Sequence, residues 1–369
     1  MNVTLWAGAV VPRPVPLAVS EALEDIEVVQ SSDARSGFQL SLRTDRKGLS
    51  GALDFRQIAS PALRPLNRLM IAVALGGIPS VLMDGVITYV DFDPVARRVT
   101  VTGEDLAVVM DRDEKIQAHP GRATHTIVTT ILAAYSAYRI VPSVIPPKLD
   151  DPPNPVERSA IQHATDLAYL ELLARRHGYI FHIDPGPALG ASTAYWGPAT
   201  RVGVPQPALT VDLDGESNIE SIRFRSDALA PTTVDGSVRD RISNQTVPLR
   251  TPASTQVPLS TRLRLGLNTR TITPRDSAGS STLAAMGRAL ADTERSTDDV
   301  VVADGELDTA RYGSVLRPPG LIGVRGAGYS HDGTYVVKRV THRLRPGSYK
   351  QAFTLARDGW GALSPTVRL

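Results

Sequence analysis

Three strand-like stretches in the first third of the chain recur, in the same order, near its end. Each set contains an apolar run that ends in glycine, an Asp-Gly stretch rich in β-branched residues, a proline turn and a last alternating stretch. The stretches are residues 70–77, 84–90 and 97–105 in the first set and 321–328, 332–340 and 349–358 in the second. This order predicts two β units of one kind. Because Asp-Gly is a common turn pair, the alternative is that two unrelated strand-turn-strand stretches look alike.

The second set ends in a long β-hairpin that is predicted over residues 332–358. In its second arm Phe353 and Leu355 alternate with small residues, which is the period of a half-buried strand. Residues 345–348 read Arg-Pro-Gly-Ser and supply the turn, since proline fixes φ and glycine accepts a positive φ. Two strands alone are marginal in water, so the hairpin requires a larger sheet around it.

Composition excludes several classes of protein. A chain of 369 residues with 42% hydrophobic content is long enough for roughly two to four compact units. The 40 basic and 38 acidic residues are interspersed, so nucleic-acid recognition is not predicted. With no cysteine the chain has no disulfide and no cysteine-ligated metal, although this does not identify the compartment.

The N-terminal residues lack the basic segment of a signal peptide and contain three prolines within 23 residues. The longest apolar run, residues 69–78, is about half of what a bilayer span requires. We therefore expect no export signal, no membrane anchor of its own and assembly in the cytoplasm.

Helices are predicted mainly in the middle of the chain, after an all-β first third. One is expected over residues 124–138, and a second runs from Asp166 to His177, with Thr165 as its N-cap and Gly178 as its C-terminal stop. A strand over residues 179–183 follows, so this part is predicted to be a small α/β unit.

The second half contains a polar region and a third helix. Residues 235–273 are predicted to form long hairpin loops or a mobile surface excursion. The helix is expected from Ser281 to Thr293, with Leu283, Met286 and Leu290 on one face. A short helical or irregular link is predicted around residues 53–60.

The histidines do not form a predicted metal site. His177 and His182 lie on either side of a helix stop, so they do not share the helical face that a metalloprotease motif uses. Neither His119 with His125 nor His331 with His342 has a carboxylate at ligand spacing. Structural or surface roles are expected, with no metal and no cofactor.

Catalytic residues are likewise not predicted. A cell-wall hydrolase would require two carboxylates across a cleft, one of them with a raised pKa. Asp166 and Glu171 are expected to point into water from their helix, and residues 111–114 to form a solvated turn. Nucleophile-elbow and phosphate-loop motifs do not occur in the sequence.

Three aromatic residues raise the possibility of a sugar-stacking platform. They are Tyr195, Trp196 and Trp360. Core or interface packing is the favoured interpretation, because three tryptophans are ordinary in a chain of this length.

Two motifs and one short segment resemble a known family. In residues 165–183 the matching residues are Asp166, Leu170, Leu173, Ala174, Gly178, Tyr179 and Phe181. In the closing hairpin they are Gly333, Tyr335, Val337, Val340 and His342 in the first arm and Gly347, Tyr349, Phe353 and Leu355 in the second. The segment is Tyr195-Trp196-Gly197-Pro198. Together they resemble the late-control D proteins of contractile phage tails, which are similar to the base of valine-glycine repeat protein G spikes.

This resemblance implies a β-rich α+β fold, with two similar tube-type antiparallel β-barrel units and an inserted small α/β domain. The implied domains are a first barrel unit over residues 1–110, the α/β domain over 111–200 and a second barrel unit over 201–362. A polar loop and helical insertion occupies residues 235–297 of the second unit, and residues 363–369 form a tail.

The resemblance also implies a structural function. Three subunits of this family form a ring of six barrels, which is a baseplate hub joining a hexameric inner tube to a trimeric spike. The implied partners are two further copies of the chain, the tube protein, the spike protein and other baseplate subunits. The chain ends about ten residues after the hairpin, so we expect the spike to be a separate protein. The alternatives are a baseplate-associated peptidoglycan hydrolase and a carbohydrate-binding adhesin.

Four basic residues of the hairpin have two interpretations. Lys338, Arg339, Arg343 and Lys350 are typical of a solvated face. In a ring, some of them are expected to line the channel or the rim that faces the tube. Charge reversal at Lys338 and Lys350 is then expected to impair assembly without unfolding the protein.

Overall fold

The structure is a computed structural model. It describes residues 2–9, 11–44, 60–152, 160–186, 188–212, 217–227, 229–241, 243–251, 254–263, 269–274 and 281–363. Apart from Ser60 and Leu363, the link predicted over residues 53–60 and the tail predicted over 363–369 lie outside the described residues.

The first third is β structure, as predicted. Its strands are β1 (Asn2–Gly8), β2 (Arg13–Pro14), β3 (Leu23–Ser31), β4 (Gly37–Arg43), β5 (Arg68–Leu75), β6 (Ile78–Asp93) and β7 (Arg98–Asp105), with a short helix α1 (Leu17–Glu21) before β3. Alternate residues of β3, β4 and β7 are buried, and Leu40, Leu42 and Val101 are fully enclosed. The period-two pattern of these sequences therefore places one face of the sheet on a hydrophobic core.

The middle of the chain is the α/β part. Its elements are β8 (Glu114–His119), α2 (Thr124–Ala133), β9 (Ile140–Val144), β10 (Ala160–Thr165), α3 (Asp166–His177), β11 (Tyr179–Pro185) and β12 (Ser192–Pro198). Helix α3 confirms its predicted limits. The Thr165 hydroxyl accepts a hydrogen bond from the Ala168 amide at 3.2 Å, and Gly178 has a φ of 68°.

The second half is again mainly β structure. Its first elements are β13 (Gln206–Thr210), β14 (Ser221–Ser226), β15 (Thr232–Arg239), β16 (Thr246–Arg250), β17 (Arg262–Leu263), β18 (Arg270–Ile272) and α4 (Thr282–Thr297). The remaining ones are β19 (Val301–Asp308), α5 (Thr309–Tyr312), β20 (Leu321–Arg325), β21 (Gly333–Arg345), β22 (Ser348–Arg357) and β23 (Gly359–Trp360). Strands β21 and β22 confirm the predicted hairpin, with Pro346 and Gly347 between the paired residues Arg345 and Ser348.

The polar region is more ordered than predicted. In place of long loops, β15, β16 and β18 form a three-stranded sheet, and α4 packs on it. Val234, Val238 and Leu249 supply the buried side chains of this small sheet. So small a core needs few apolar residues. The strands were therefore not predicted, because the sequence of this region is rich in Thr, Ser and Pro. Parts of this region lie outside the described residues.

The apolar residues predicted to share one face of α4 are not the residues that the helix buries. Ala285 and Ala289 are buried, whereas Leu283 is 45% exposed and both Met286 and Leu290 are only half-buried. Packing is also close on another side of α4, where a Cβ atom on Gly178 would lie 3.0 Å from the Cα atom of Ala291. Only small side chains fit between elements that approach so closely.

The two β units have the same strand order, which confirms the predicted repeat. We define the first unit as β1 and β3–β7, and the second unit as β13, β14 and β19–β22. Across the sheet the order is β3-β4-β7-β6-β5-β1 in the first unit and β14-β19-β22-β21-β20-β13 in the second. The chain also passes through the equivalent strands in the same order in both units. The last pair differs, since β1 is antiparallel to β5 and β13 is parallel to β20.

A one-residue bulge marks the same place in both units. The pairing of β6 with β7 shifts at Thr88, and that of β21 with β22 shifts at Lys338. When the two bulges are aligned, Gly85 of the first unit is equivalent to Tyr335 of the second. The Asp-Gly pairs that pointed to the repeat are therefore displaced by two residues, although the repeat itself is present.

The two units are joined edge to edge in one 13-stranded sheet. Strand β21 pairs with β20 up to Val336 and, beyond the bulge, pairs antiparallel with β3 over residues 339–344. We call the pairing of β21 with β3 the joint. None of the described helices is both long and apolar enough to cross a bilayer. The residue limits assigned to the domains from the sequence stay a prediction.

Candidate assembly surface

Beneath the joint lies a fully buried polar network. The ring of His342 bonds to Gln30 through Nε2 at 3.0 Å and to the Tyr349 hydroxyl through Nδ1 at 2.9 Å, while the Gln30 amide donates to the Leu82 carbonyl at 2.5 Å. Burial, with a smaller effect of Arg317, lowers the pKa of His342 to about 3. The ring is therefore neutral, with Nε2–H donating to Gln30 and Nδ1 accepting from Tyr349. Every polar atom of the ring is satisfied, so this network fixes how the two units meet.

Lys338, at the bulge, does not lie on a solvated face. Its side chain is 16% exposed, and its Nζ atom is 3.0 Å from a carboxylate oxygen of Asp299. Burial acts to lower the pKa of Lys338, but the nearby carboxylates of Asp299 and Asp298 outweigh it and raise the pKa. The bulge turns this side chain toward the segment before β19, which the hairpin pattern alone could not reveal.

Arg339, Arg343 and Lys350 occupy the accessible face of the sheet. Arg343 lies 3.4 Å from Glu27, and Lys350 lies 2.7 Å from Glu220. Arg343 and Lys350 are direct cross-strand neighbours, so each like charge requires its own acidic partner. These three residues match the solvated-face interpretation, and whether they line a channel stays a prediction.

The same face continues across both units with mostly small or polar side chains, although it also includes Val29 opposite Thr341. We call it the polar face, and it includes Glu27, Gln39, Ser41, Thr100, Thr102, Asp304, Glu306, Arg339, Thr341, Arg343, Lys350, Ala352 and Thr354. Its basic side chains lie on β21 and β22, between acidic side chains on β19 and β3, so both signs are present on the face.

In the α/β part, the matching residues of the first family motif are packing residues. Asp166 was expected to point into water, but it is buried and accepts hydrogen bonds from Lys115 at 2.5 Å, Tyr135 at 2.6 Å and Gln162 at 2.7 Å. Gln162 lies only four residues before Asp166, but Lys115 of β8 and Tyr135 after α2 are 51 and 31 residues away in the sequence. Leu170, Leu173, Tyr179 and Phe181 contribute to the hydrophobic core of this part.

Trp196 is buried and cannot stack on a sugar. Its side chain is fully enclosed, its Nε1–H donates to the Leu170 carbonyl at 3.2 Å, and its ring meets Tyr179 edge to face at 4.9 Å. Tyr195 packs on His182, and Trp360 packs on the core of the second unit. These positions confirm the packing interpretation for the three aromatic residues.

The second motif holds the closing hairpin in place. Gly333 and Gly347 both have positive φ angles, 123° and 79°, which favour glycine. The guanidinium carbon of buried Arg357 lies 4.4 Å from the centre of the Tyr335 ring. Phe353 is buried against Gly305, where a Cβ atom would come within 2.5 Å of the ring.

A cleft of about 560 Å³ lies between α3, β11 and the bulge of β21, and Asp105 lies on its wall. Burial raises the pKa of Asp105 to about 6, which is the kind of carboxyl group that a hydrolase requires. However, its two oxygens accept the backbone N–H groups of Ala107 at 2.8 Å and Ser36 at 3.0 Å. Asp105 therefore stabilises a turn. Within the described ranges, no three His, Asp or Glu side chains converge as a metal site.

The sequence did not reveal a buried ion pair of the first unit that also binds the α/β part. Arg68 donates to Asp84 at 2.7 and 2.6 Å, and both side chains are 2% exposed. Ser192 of β12 donates to Asp84 at 2.8 Å, and Arg68 also reaches the Gly190 carbonyl at 3.2 Å. Asp84 had the sequence signature of a turn residue, and no local signal distinguished it from one.

The two lysines of the hairpin are expected to respond differently to charge reversal. Lys338→Glu places a third carboxylate beside Asp298 and Asp299 and should lower the free energy of unfolding by about 2–3 kcal/mol. Lys350→Glu reverses an accessible charge whose pairs with Glu220 and Glu306 are screened by water, so it should lower the free energy of unfolding by less than about 1 kcal/mol. Equal stability of the two variants in urea titrations followed by circular dichroism would contradict the position of Lys338 beside Asp298 and Asp299.

Comparison with known proteins places the fold in a class. The chain matches no protein-family model, and no curated protein matches it. Among solved structures, the similarity is to β-rich tail proteins and spans nearly the whole chain.

Three of these structures illustrate the similarity. A tail protein from Neisseria meningitidis MC58 has a TM-score of 0.63 at 13% identity, over 97% of both chains. A 43 kDa tail protein of prophage MuSo2 from Shewanella oneidensis has a TM-score of 0.56 at 13% identity, over 96% of this chain and 98% of that one. The third is an Escherichia coli component of the type VI secretion system, described as structurally similar to the T4 bacteriophage tail proteins gp27 and gp5. It has a TM-score of 0.55 at 13% identity, over 94% of this chain and 77% of that one. The chain has the fold of these proteins.

Proposed function

We propose that this protein is a structural baseplate hub of a contractile tail or contractile injection particle. The observation that carries the proposal is the repeat within one chain, in which two units of the same strand order are joined by the pairing of β21 with β3. The fold shared with tail proteins and with a type VI secretion component supports it.

The repeat is suited to a change of symmetry. A chain with two like units contributes two positions to a ring, so three chains supply six similar positions while the assembly keeps threefold symmetry. Six similar positions match a hexameric inner tube on one side, and the threefold axis matches a trimeric spike on the other. The proposed partners are therefore two further copies of the chain, the tube protein, the spike protein and neighbouring baseplate subunits.

In such a ring the polar face is the surface that we assign to the channel. Most of its side chains are small or polar, and several of its charges are paired with opposite ones, as Arg343 is with Glu27. A channel lined in this way offers few sites at which a passing polymer would adhere. We also propose that the particle is assembled in the cytoplasm and acts as part of a virion tail or an extracellular particle.

The mass and shape of the purified protein test this proposal. Light scattering should give three times the chain mass of 39.6 kDa, and electron microscopy should show rings with a central channel. A stable monomer that binds neither tube nor spike protein would contradict it. Fragments released from cell-wall sacculi by the purified protein would favour the hydrolase alternative.

A further inference from the structure

The joint within the chain provides a template for a contact between chains. In the joint, the outer edge of β3 pairs with the part of β21 beyond its bulge. The repeat supplies a counterpart for each side, namely β14 for β3 and residues 88–93 of β6 for that part of β21. Among the described residues, no strand pairs with the outer edge of β14 or with the corresponding edge of residues 88–93.

Backbone hydrogen bonds locate the equivalence to the residue. The Ile87 amide donates to the Asn67 carbonyl and the Val337 amide to the Gly320 carbonyl, both at 2.8 Å. These bonds mark where the inner neighbour, β5 or β20, ends. In β21 the next bond is made with β3, from the Ser32 amide to the Lys338 carbonyl at 2.9 Å.

The joint also fixes the register of the expected contact. In the joint Thr341 lies opposite Val29, His342 opposite Val28 and Arg343 opposite Glu27. Transferring these pairs through the repeat gives three facing pairs between β6 and β14. They are Asp91 with Arg225, Phe92 with Phe224, and Asp93 with Arg223.

The charges of the transferred pairs are complementary. The pairs were found from their positions in the repeat alone, so this complementarity is an independent observation. Both acidic residues fall on β6 and both arginines fall on β14. The last pair reproduces the ion pair of Arg343 with Glu27 with the two signs exchanged. Arg225 already lies beside Asp304 on β19, so Asp91 would extend an existing pair across the contact.

We propose that β14 of one copy pairs antiparallel with residues 89–93 of β6 in the next copy and so joins the copies head to tail. This inference rests on the proposed ring and specifies the surfaces that close it. Pairing β14 with a second β14 would bring arginines together, and pairing β6 with β6 would bring aspartates together. The charges therefore select the contact of unlike edges, which is the kind that generates rings.

Disulfide cross-linking tests the register, because the chain contains no cysteine. Directly opposite residues of an antiparallel pair lie within about 4.5–5.5 Å of each other, which a disulfide can span. Oxidised Asp91→Cys/Arg225→Cys protein should run as a covalent trimer on non-reducing gels. The control Asp91→Cys/Arg43→Cys has both cysteines accessible but one outside the proposed contact, and it should remain a single chain.

Charge reversal tests the contact without a cross-link. Asp91→Arg should raise the protein concentration below which the rings dissociate by at least about tenfold. Adding Arg225→Asp should bring that concentration most of the way back. Asp113→Arg changes an exposed acid away from both edges and should have no effect. Trimers that persist in Asp91→Arg, with no cross-link in the cysteine pair, would overturn this contact and leave the proposed hub standing. Monomers of the unsubstituted protein at every concentration would overturn both.

Discussion

Asp84→Ala is expected to lower the free energy of unfolding by about 3–5 kcal/mol. The substitution leaves the guanidinium of Arg68 buried without the carboxylate that accepts two of its hydrogen bonds. It also removes the acceptor of the Ser192 hydroxyl, which links the first unit to the α/β part. Urea titration followed by circular dichroism measures the loss.

Two further variants separate the charge from the contact. Ser192→Ala removes a single hydrogen bond and should cost only about 1 kcal/mol. Arg68→Met/Asp84→Leu removes both charges and should recover most of the stability lost in Asp84→Ala, since a buried ion pair is often replaceable by apolar side chains. A loss below about 1 kcal/mol in Asp84→Ala would show that the pair does not hold these parts together.

Trp196→Ala is expected to cost about 3–5 kcal/mol, because it opens a large cavity in the core of the α/β part. The indole is fully enclosed, contacts Tyr179 and also satisfies the Leu170 carbonyl. Urea titration provides the measurement.

Trp196→Phe is the graded control. It keeps an aromatic ring in the core and removes the N–H donor and part of the volume, so its cost should be less than half that of the alanine variant. An alanine variant as stable as the unsubstituted protein would contradict the packing role. Such a result would reopen the sugar-stacking interpretation for this residue.

Local signals in the sequence were sufficient for several elements. Thr165 and Gly178 determine the ends of α3 through hydrogen bonds and a backbone conformation that involve only neighbouring residues. The turn at Pro346 and Gly347 likewise determines the register of β21 with β22. Such features are predictable because few distant residues contribute to them.

Features that depend on distant partners were not predictable in this way. Asp166 is buried because Lys115 and Tyr135 reach it from 51 and 31 residues away in the sequence. Lys338 is only 16% exposed because it packs toward Asp299 across the fold. In both cases a charged residue on a regular pattern indicated solvent, and only the tertiary partners reverse that indication.

The candidate contact between copies was only partly predictable from the sequence. The repeat was visible in the sequence, but the Asp-Gly pairs that revealed it are displaced by two residues from the true equivalence. The bulges at Thr88 and Lys338 give the correct alignment, and they are a property of strand pairing rather than of composition. Asp91 and Arg225 could be matched only after that alignment.

The bulge at Lys338 determines which face of the sheet each later residue of β21 points to. Successive residues of a strand point to opposite faces, so the one extra residue sets which side chains beyond it face the core. Deleting that single residue would turn His342 and Leu344 outward and bring Arg343 and Arg345 into the interior. The same rule applies at Thr88, where a one-residue deletion would exchange the faces of Asp91 and Phe92. Length at these two positions is therefore constrained more strictly than the identity of the residue that occupies them.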